Sequence, residues 1–479
     1  MQKGEKTGTL TASPFRILRF SFQISSPITR GGKMIRPWRN NKGFWRNSVT
    51  GRLAFSLLAL ATVLLWPTFS RSSSFPQAPV AAAPVDYNPY AEIVRLQARL
   101  QAYPEDANAY ARLGIAYLLQ VREDGDASHY LRAEEAFQEA LKREPNQVNA
   151  QVGMGMLALS RHDFSGAIPW AERALAVAPH HAEALGLLVD ANVELGRYDE
   201  AMKVGQAMVD LRPGVASYSR AAYLRELHGD MAGAIQAMQM ALDVAAPNTE
   251  SWRWTAVQVG NLYFNRGEWA QADLYYQAAL KSHSAYPFAL AGRGRVAAAQ
   301  GDRTRAIHLY SQAAERLPLP EFIIPLGDLY QLNGQEDQAA QQYGLVGVIQ
   351  QLNQAAGMSV DMELALFEAD YGDPALALQL ARRAYAARPS IYAADVLGWA
   401  LHRNNRTAEA QIYSEESLRL GTQDALLYYH AGVIAEALGN KEMARLHLQR
   451  ALEINPAFSI LYVEDARQRL ASLCACTSE

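Results

Sequence analysis

The sequence predicts an all-α protein, an α-solenoid of about ten helix-turn-helix units, and three observations predict it. An alanine recurs at 133, 167, 201, 234, 272, 306, 339, 377, 410 and 444, at intervals of 33, 34 or 38 residues. Twelve residues after it, proline stands at Pro145, Pro179, Pro213, Pro318, Pro389 and Pro456. Twelve before it, glycine stands at Gly155, Gly260, Gly294, Gly327, Gly398 and Gly432. A fixed period near 34 residues with helical spacing inside it marks stacked pairs of helices, each burying its apolar face on its neighbours.

The segment GNLYFNRGEWAQADLYYQAAL, residues 260–280, shows why those residue types recur. One helix is expected to end at Arg266–Gly267 and the next to begin near Trp269, with the glycine supplying the turn. Gly260 and Ala272 let two antiparallel helices approach closely, and Tyr263 and Tyr276 fill the space left beside them. Individual units drift: Val189 stands in the glycine position, Gly205 in the aromatic one and Gln351 in that of the proline. The two 38-residue intervals predict longer turns around 247–252 and 351–357, and Pro325 falls inside a first helix, where it should bend it. Single helices at about 89–102 and 458–472 are expected to cap the ends of a solenoid spanning 89–472, with a short tail at 473–479.

This pattern resembles the tetratricopeptide repeat, over about residues 107–458. The resemblance implies a right-handed superhelix of at least about one turn, with the first helix of each unit lining a concave groove. It also implies that the residue just after the small position faces that groove. By that rule a peptide-binding groove would be lined by Asp190, Tyr223, Asn261, Arg295, Asp328 and Trp399. Polar groups in a row suit hydrogen bonding to an extended peptide, and aromatic ones supply anchors. Some family members grip a C-terminal carboxylate with Lys, Asn and Arg from adjacent first helices. No adjacent pair of units here reproduces that set, and Asp190 and Asp328 would repel a carboxylate.

The ends of the chain carry opposite charge. Residues 1–85 hold 12 Lys/Arg against one acid, whereas 86–479 hold 33 basic against 47 acidic residues. An acidic body argues against nucleic acid as ligand, because phosphates need a basic footprint. Within the basic region, 1–52, a start at Met34 would leave a compact basic leader. The apolar run that follows, 53–69, carries Leu53, Leu57, Leu60 and Leu65. Seventeen helical residues cover about 25 Å, a little short of a ~30 Å hydrocarbon core. Positive charge before such a run predicts an uncleaved signal-anchor with the body extracytoplasmic, the alternatives being a cleaved signal peptide or an organellar targeting sequence. Residues 70–88, rich in Ser, Pro and Ala, read as an extended linker.

The repeats and their caps use nearly all of the chain after residue 88, which leaves no room for a separate catalytic domain. There is no P-loop and no strand-borne dinucleotide fingerprint. His180 and His181 lie in a turn and share no helix face, so no metal site is expected, and no cofactor. Cys474 and Cys476, the two cysteines of the chain, make no disulfide framework. The expectation is a non-catalytic, membrane-tethered scaffold that binds a protein or peptide partner in its groove. The alternatives are an accessory subunit of an envelope polymer- or glycan-handling enzyme and a self-associating, homo-oligomeric structural protein.

Overall fold

The computed structural model describes residues Tyr87–Ala475, so the expected basic region, apolar segment and most of the linker lie outside the described residues. So do Leu53, Leu57, Leu60, Leu65 and Cys476; Cys474 is exposed. Every regular element among the described residues is an α-helix.

A single helix, α1 (Pro89–Ala102), comes first, as the sequence predicts. Ten helix pairs follow. They are α2 (Ala107–Asp124) with α3 (Ser128–Arg143), α4 (Val148–Ser160) with α5 (Phe164–Val177), and α6 (Ala182–Glu194) with α7 (Tyr198–Leu211). Next come α8 (Val215–Leu227) with α9 (Met231–Val244), α10 (Glu250–Asn265) with α11 (Trp269–Ser282), and α12 (Pro287–Ala299) with α13 (Arg303–Arg316). The last four are α14 (Pro320–Leu332) with α15 (Glu336–Ala355), α16 (Asp361–Tyr371) with α17 (Pro374–Ala387), α18 (Ile391–Arg403) with α19 (Thr407–Ser417), and α20 (Ala425–Ala437) with α21 (Lys441–Ile454). Helix α22 (Tyr462–Ala475) closes the array. Each pair packs most heavily on itself and then on its neighbours, except that α14–α15 and α16–α17 meet chiefly through side chains such as Tyr343 and Tyr371.

The starts of the second helices are written locally. Asp163, Asp230, Asp302 and Asn440 each precede one and accept a hydrogen bond from the backbone N–H three residues on. This satisfies a donor that the first turn would otherwise leave open. Packing then does the rest. All ten periodic alanines are buried, nine of them completely and Ala339 to 4% exposure. Tyr276 is wholly buried, and a Cβ added at either Gly260 or Gly292 would meet its ring at 2.6 Å. The small residues are therefore the seats of the large ones, as the sequence implies.

Two expectations change. The second 38-residue interval lengthens a helix instead of a turn: α15 runs on to Ala355 and stops at Gly357, whose φ is 81°. The proline that ends sister helices is Gln351 here, and nothing before Gly357 forbids another helical turn. Pro325 falls inside a first helix, as expected, and α14 runs on through it to Leu332. The closing helix starts at Tyr462, later than expected, and the Tyr462 N–H donates to the Ser459 hydroxyl at 3.1 Å. The Asn455 amide donates to the carbonyl of Phe264 at 2.9 Å, far back in the chain.

That last contact belongs to a series. The turn inside one pair meets the turn that precedes the pair six places later. His162 and Arg161 clamp Ser359: the Ser359 N–H donates to Arg161 O at 2.9 Å, and His162 Nδ1 lies 2.8 Å from Ser359 O. The Tyr198 hydroxyl accepts from the Ile391 N–H at 2.9 Å. The Thr422 hydroxyl donates to the Leu227 carbonyl. Gly196 and Gly229 sit at φ 70° and 75°, and a Cβ on them would run into the carbonyls of Pro389 and Gly421. The array thus returns on itself after six units, along a seam four turns long. His162 takes the same left-handed backbone at φ 60° without being glycine, a conformation costing of order 1 kcal/mol that the clamp on Ser359 holds in place.

Candidate functional site

The first helices of the pairs carry the residues that the sequence assigns to the groove. Asp190, on α6, is 2% exposed, and its carboxylate is gripped by Arg220 of α8 through two bonds of 2.8 and 2.6 Å. Burial pushes the Asp190 carboxyl up to about 6, against the pull of the Arg220 charge. Tyr223, on α8, is buried. Asn261 and Arg295, from α10 and α12, come together: Arg295 Nη2 donates to Asn261 Oδ1 at 2.8 Å and to the Tyr276 hydroxyl at 3.1 Å. The Tyr276 hydroxyl donates to the same Asn261 oxygen at 2.8 Å. The Arg295 guanidinium lies 4.1 Å over the Phe264 ring, a cation–π contact.

Asp328, on α14, is 7% exposed, and among the described residues no cation pairs with it. Its Oδ1 accepts two phenolic hydroxyls, from Tyr343 of α15 at 2.8 Å and Tyr371 of α16 at 3.0 Å. Burial pushes its carboxyl up to about 7, and the charge of Asp370 adds to the rise while the two hydroxyls oppose it. Trp399, on α18, is 3% exposed, stacks on His430 of α20 at 4.2 Å and donates its indole N–H to Asp370 Oδ1 at 2.7 Å. The same Asp370 oxygen accepts the Tyr462 hydroxyl of α22 at 2.6 Å. Burial raises the Asp370 carboxyl too, opposed by these donors and by the charges of His430 and Arg403.

Asp328 and Trp399 are therefore joined through residues that the sequence reading passed over. Asp370 and Tyr371 are neighbours at the end of α16, one serving each centre. The rings of Tyr343, Phe367 and Tyr371 lie within 6.3 Å of one another, and Tyr429 stacks on Tyr462 at 4.9 Å. Tyr-rich helix ends were visible in the sequence, but nothing local said that they meet. Arg220 was more accessible to reasoning, since it stands one helical turn before Tyr223 on the same face.

A second group of charges lies on the seam. Arg388, at the end of α17, reaches Glu363 of α16 at 3.0 Å and Glu194 of α6 at 3.7 Å, and His162 lies 3.8 Å from Glu363. All four side chains are at most 5% exposed. Burial pushes Glu194 up to about 8. Glu363 is held below the usual carboxylate range: burial works to raise it, and the Arg388 and His162 charges outweigh that. Burial lowers His162. This cluster ties the second and third units to the eighth.

Among the described residues, no group of three or more His, Cys, Asp or Glu side chains is arranged to hold a metal ion. Among them also, no helix is long and apolar enough to cross a membrane.

Family models described as tetratricopeptide repeat match residues 119–176, 152–216, 259–319 and 425–458. A comparison with curated proteins found no match. Among solved structures, the chain is similar to one described as the APC/C hetero-tetramer Cut9-Hcn1, with 17% identity, a TM-score of 0.38 and coverage of 80% of this chain and 81% of that one. It is also similar to a tetratricopeptide repeat protein from Parabacteroides merdae, with 17% identity, a TM-score of 0.32 and coverage of 54% and 98%. A third similarity is to MamA, with 21% identity, a TM-score of 0.28 and coverage of 34% and 94%. With ten helix pairs, ten buried alanines in phase and the family's models matching residues 119–216, 259–319 and 425–458, this chain carries tetratricopeptide repeats.

Proposed function

We propose that this protein is a scaffold that binds a polypeptide partner along the inner face of its helical array, tethered to a membrane by its N-terminal apolar segment. Tetratricopeptide repeats suggest a protein–protein interaction scaffold as the class. What supports the inner face is the polar or aromatic character of the residue at the equivalent first-helix position, from Asn261 and Arg295 through Asp328 to Trp399. Asn261 and Arg295, both half-buried, can offer hydrogen bonds to an extended segment. Arg295 has no carboxylate within 4 Å among the described residues, and Asp328 has no cation, so both charges are available to a partner.

The tether is supported by the acid-free basic flank before residues 53–69 and by the Ser/Pro/Ala-rich stretch after them, and it places the repeats on the extracytoplasmic side. The scaffold chemistry asks for no catalytic pair, metal or cofactor.

The test is crosslinking in the native cell with a photoreactive residue at Asn261, compared with one at the exposed outer position Glu442. A partner captured from Asn261 and lost with Arg295→Glu supports the reading. Capture that is equal from both positions and indifferent to Arg295 would sink it. Membrane fractionation of the full chain and of a chain lacking residues 53–69 tests the tether separately: both remaining in the soluble fraction would remove it.

A further inference from the structure

The two aspartates at the C-terminal end of the inner face share an arrangement that the fold alone does not require. Asp328 Oδ1 takes both of its tyrosine donors, and Asp370 Oδ1 takes both the Trp399 and Tyr462 donors. In each carboxylate the second oxygen, Oδ2, accepts no hydrogen bond from a described residue, and neither Oδ2 is among the fully buried unbonded atoms. Each Oδ2 therefore keeps contact with solvent, although Asp328 as a whole is 93% buried. Four aromatic donors pin the two carboxylates and leave one open acceptor on each.

Asp370 is the neighbour of Tyr371 in α16, and the Tyr371 hydroxyl reaches Asp328 at 3.0 Å, so one helix end joins the two carboxylates. Among the described residues neither is in an ion pair, Asp370 feeling His430 and Arg403 only at longer range. The walls are aromatic: Tyr343, Phe367 and Tyr371 on one side, Trp399 and Tyr462 on the other. Two like charges half-sheltered from water, with ring faces around them, are unfavourable when empty and favourable around a cation. A guanidinium or ammonium group gains from both the carboxylates and the rings.

We infer that Asp328 and Asp370 form a receiving site for a basic side chain, arginine or lysine, presented by the polypeptide partner. This rests on the inner-face reading above and names the chemistry of its occupant. It gives the acidic body a local point of recognition, distinct from its diffuse charge. The open Oδ2 atoms set the direction of approach, and the aromatic donors on Oδ1 hold the carboxylates still, so little ordering remains to oppose binding.

The experiment measures binding of a fluorescent Gly/Ser-rich peptide carrying two arginines to the full-length protein, against the same peptide with citrulline at both places. Citrulline keeps the shape and loses the charge. The expected result is at least a tenfold preference for the arginine peptide, lost in the Asp328→Asn/Asp370→Asn double variant. That preference should be kept in a Glu200→Gln/Glu442→Gln variant, which removes the same charge from exposed outer positions. Asparagine preserves the acceptor that the tyrosine and tryptophan donors need, and an unchanged circular dichroism spectrum establishes that the variant is folded. Equal binding of both peptides, or equal losses in both variants, overturns the proposal. So does saturation of the two aspartates by calcium chloride alone without any arginine preference. A photoreactive group at Asn261 that still captures a native partner after Asp328→Asn/Asp370→Asn would leave the inner-face reading standing while removing this one.

Discussion

Asp190 and Asp328 occupy the same place in their units, the residue after the small one of the first helix, and they have opposite fates. Asp190 meets an arginine from the next unit and is closed off by it, with both side chains at 3% exposure. Asp328 meets two tyrosines, which satisfy one oxygen without cancelling the charge. The difference shows what decides whether a charge in this slot is neutralised inside the fold or left without a counter-ion. A guanidinium spends the carboxylate inside the fold, whereas hydroxyl donors merely orient it. With one slot and one residue type, the array closes an aspartate with a cation at its third and fourth units and leaves one without a cation at its seventh and eighth.

The sharpest way to break the comparison is to remove the closed member. Asp190→Ala leaves Arg220 buried without its counter-ion, and arginine cannot shed its proton. The expected loss is about 3–5 kcal/mol, with a much smaller loss when Arg220→Met is added. Hydrogen exchange across α6–α8 is the suitable readout, because a repeat array loses stability locally before it unfolds as a whole. If Asp190→Ala is silent there, the two aspartates do not differ in the way described.

The seam offers a milder version of the same test. Arg388→Met strands Glu363, but a carboxylate can take up a proton, so the expected loss is smaller, about 2–4 kcal/mol. Protection should fall at residues 161–163 and 359–363 together, although nearly two hundred residues separate them. A loss confined to α16 and α17 would mean that the seam does not hold the coil's turns together.

Inside a single unit the packing argument predicts a third, smaller effect. Ala272 is completely buried where α11 crosses α10, so Ala272→Leu should cost about 1–3 kcal/mol by overpacking, while Ala270→Leu, on the exposed side of the same helix, should cost almost nothing. Thermal unfolding of the two variants makes the comparison.

How much of this was legible beforehand depends on range. The ten alanines lie in phase because every unit solves the same packing problem, and that repetition makes pairs, turns and caps readable from spacing. Contacts with the next unit were half-readable: one turn before the slot that follows Asp190 stands Arg220, and one turn before the slot that follows Asp328 stands Glu363. That contrast already separates a neutralised aspartate from one without a cation. The seam was not readable. It depends on the pitch of the whole coil, and its members, such as Tyr198 with Ile391 or Asn455 with Phe264, share no residue type that would mark the six-unit step in the sequence. The length of α15 escaped for the opposite reason, since a missing proline permits a longer helix without demanding one.

The subtlest test sharpens the comparison through pH. The Asp328 carboxyl is raised from an ordinary aspartate value to about 7, with burial as the main cause. The groups that face it are Tyr343, Tyr371 and Asp370. Those that act on Asp370 in turn are Tyr462, Trp399, His430 and Arg403. The folded protein therefore holds a proton on Asp328 that the unfolded chain releases between about pH 4 and 7. Stability from this group is complete below pH 4 and is lost as pH rises through 7. Asp328→Asn has no proton to lose. Its stability should match the parent near pH 4.5 and exceed it by about 1–2 kcal/mol near pH 8, less than the full ~1.4 kcal/mol per pH unit, because the open Oδ2 is still reached by water. Urea midpoints for the local transition of α14–α16, taken at both pH values, report the difference. A gap of the opposite sign, with the variant weaker at pH 8, would mean that a cation does sit against Asp328, and its contrast with Asp190 would vanish.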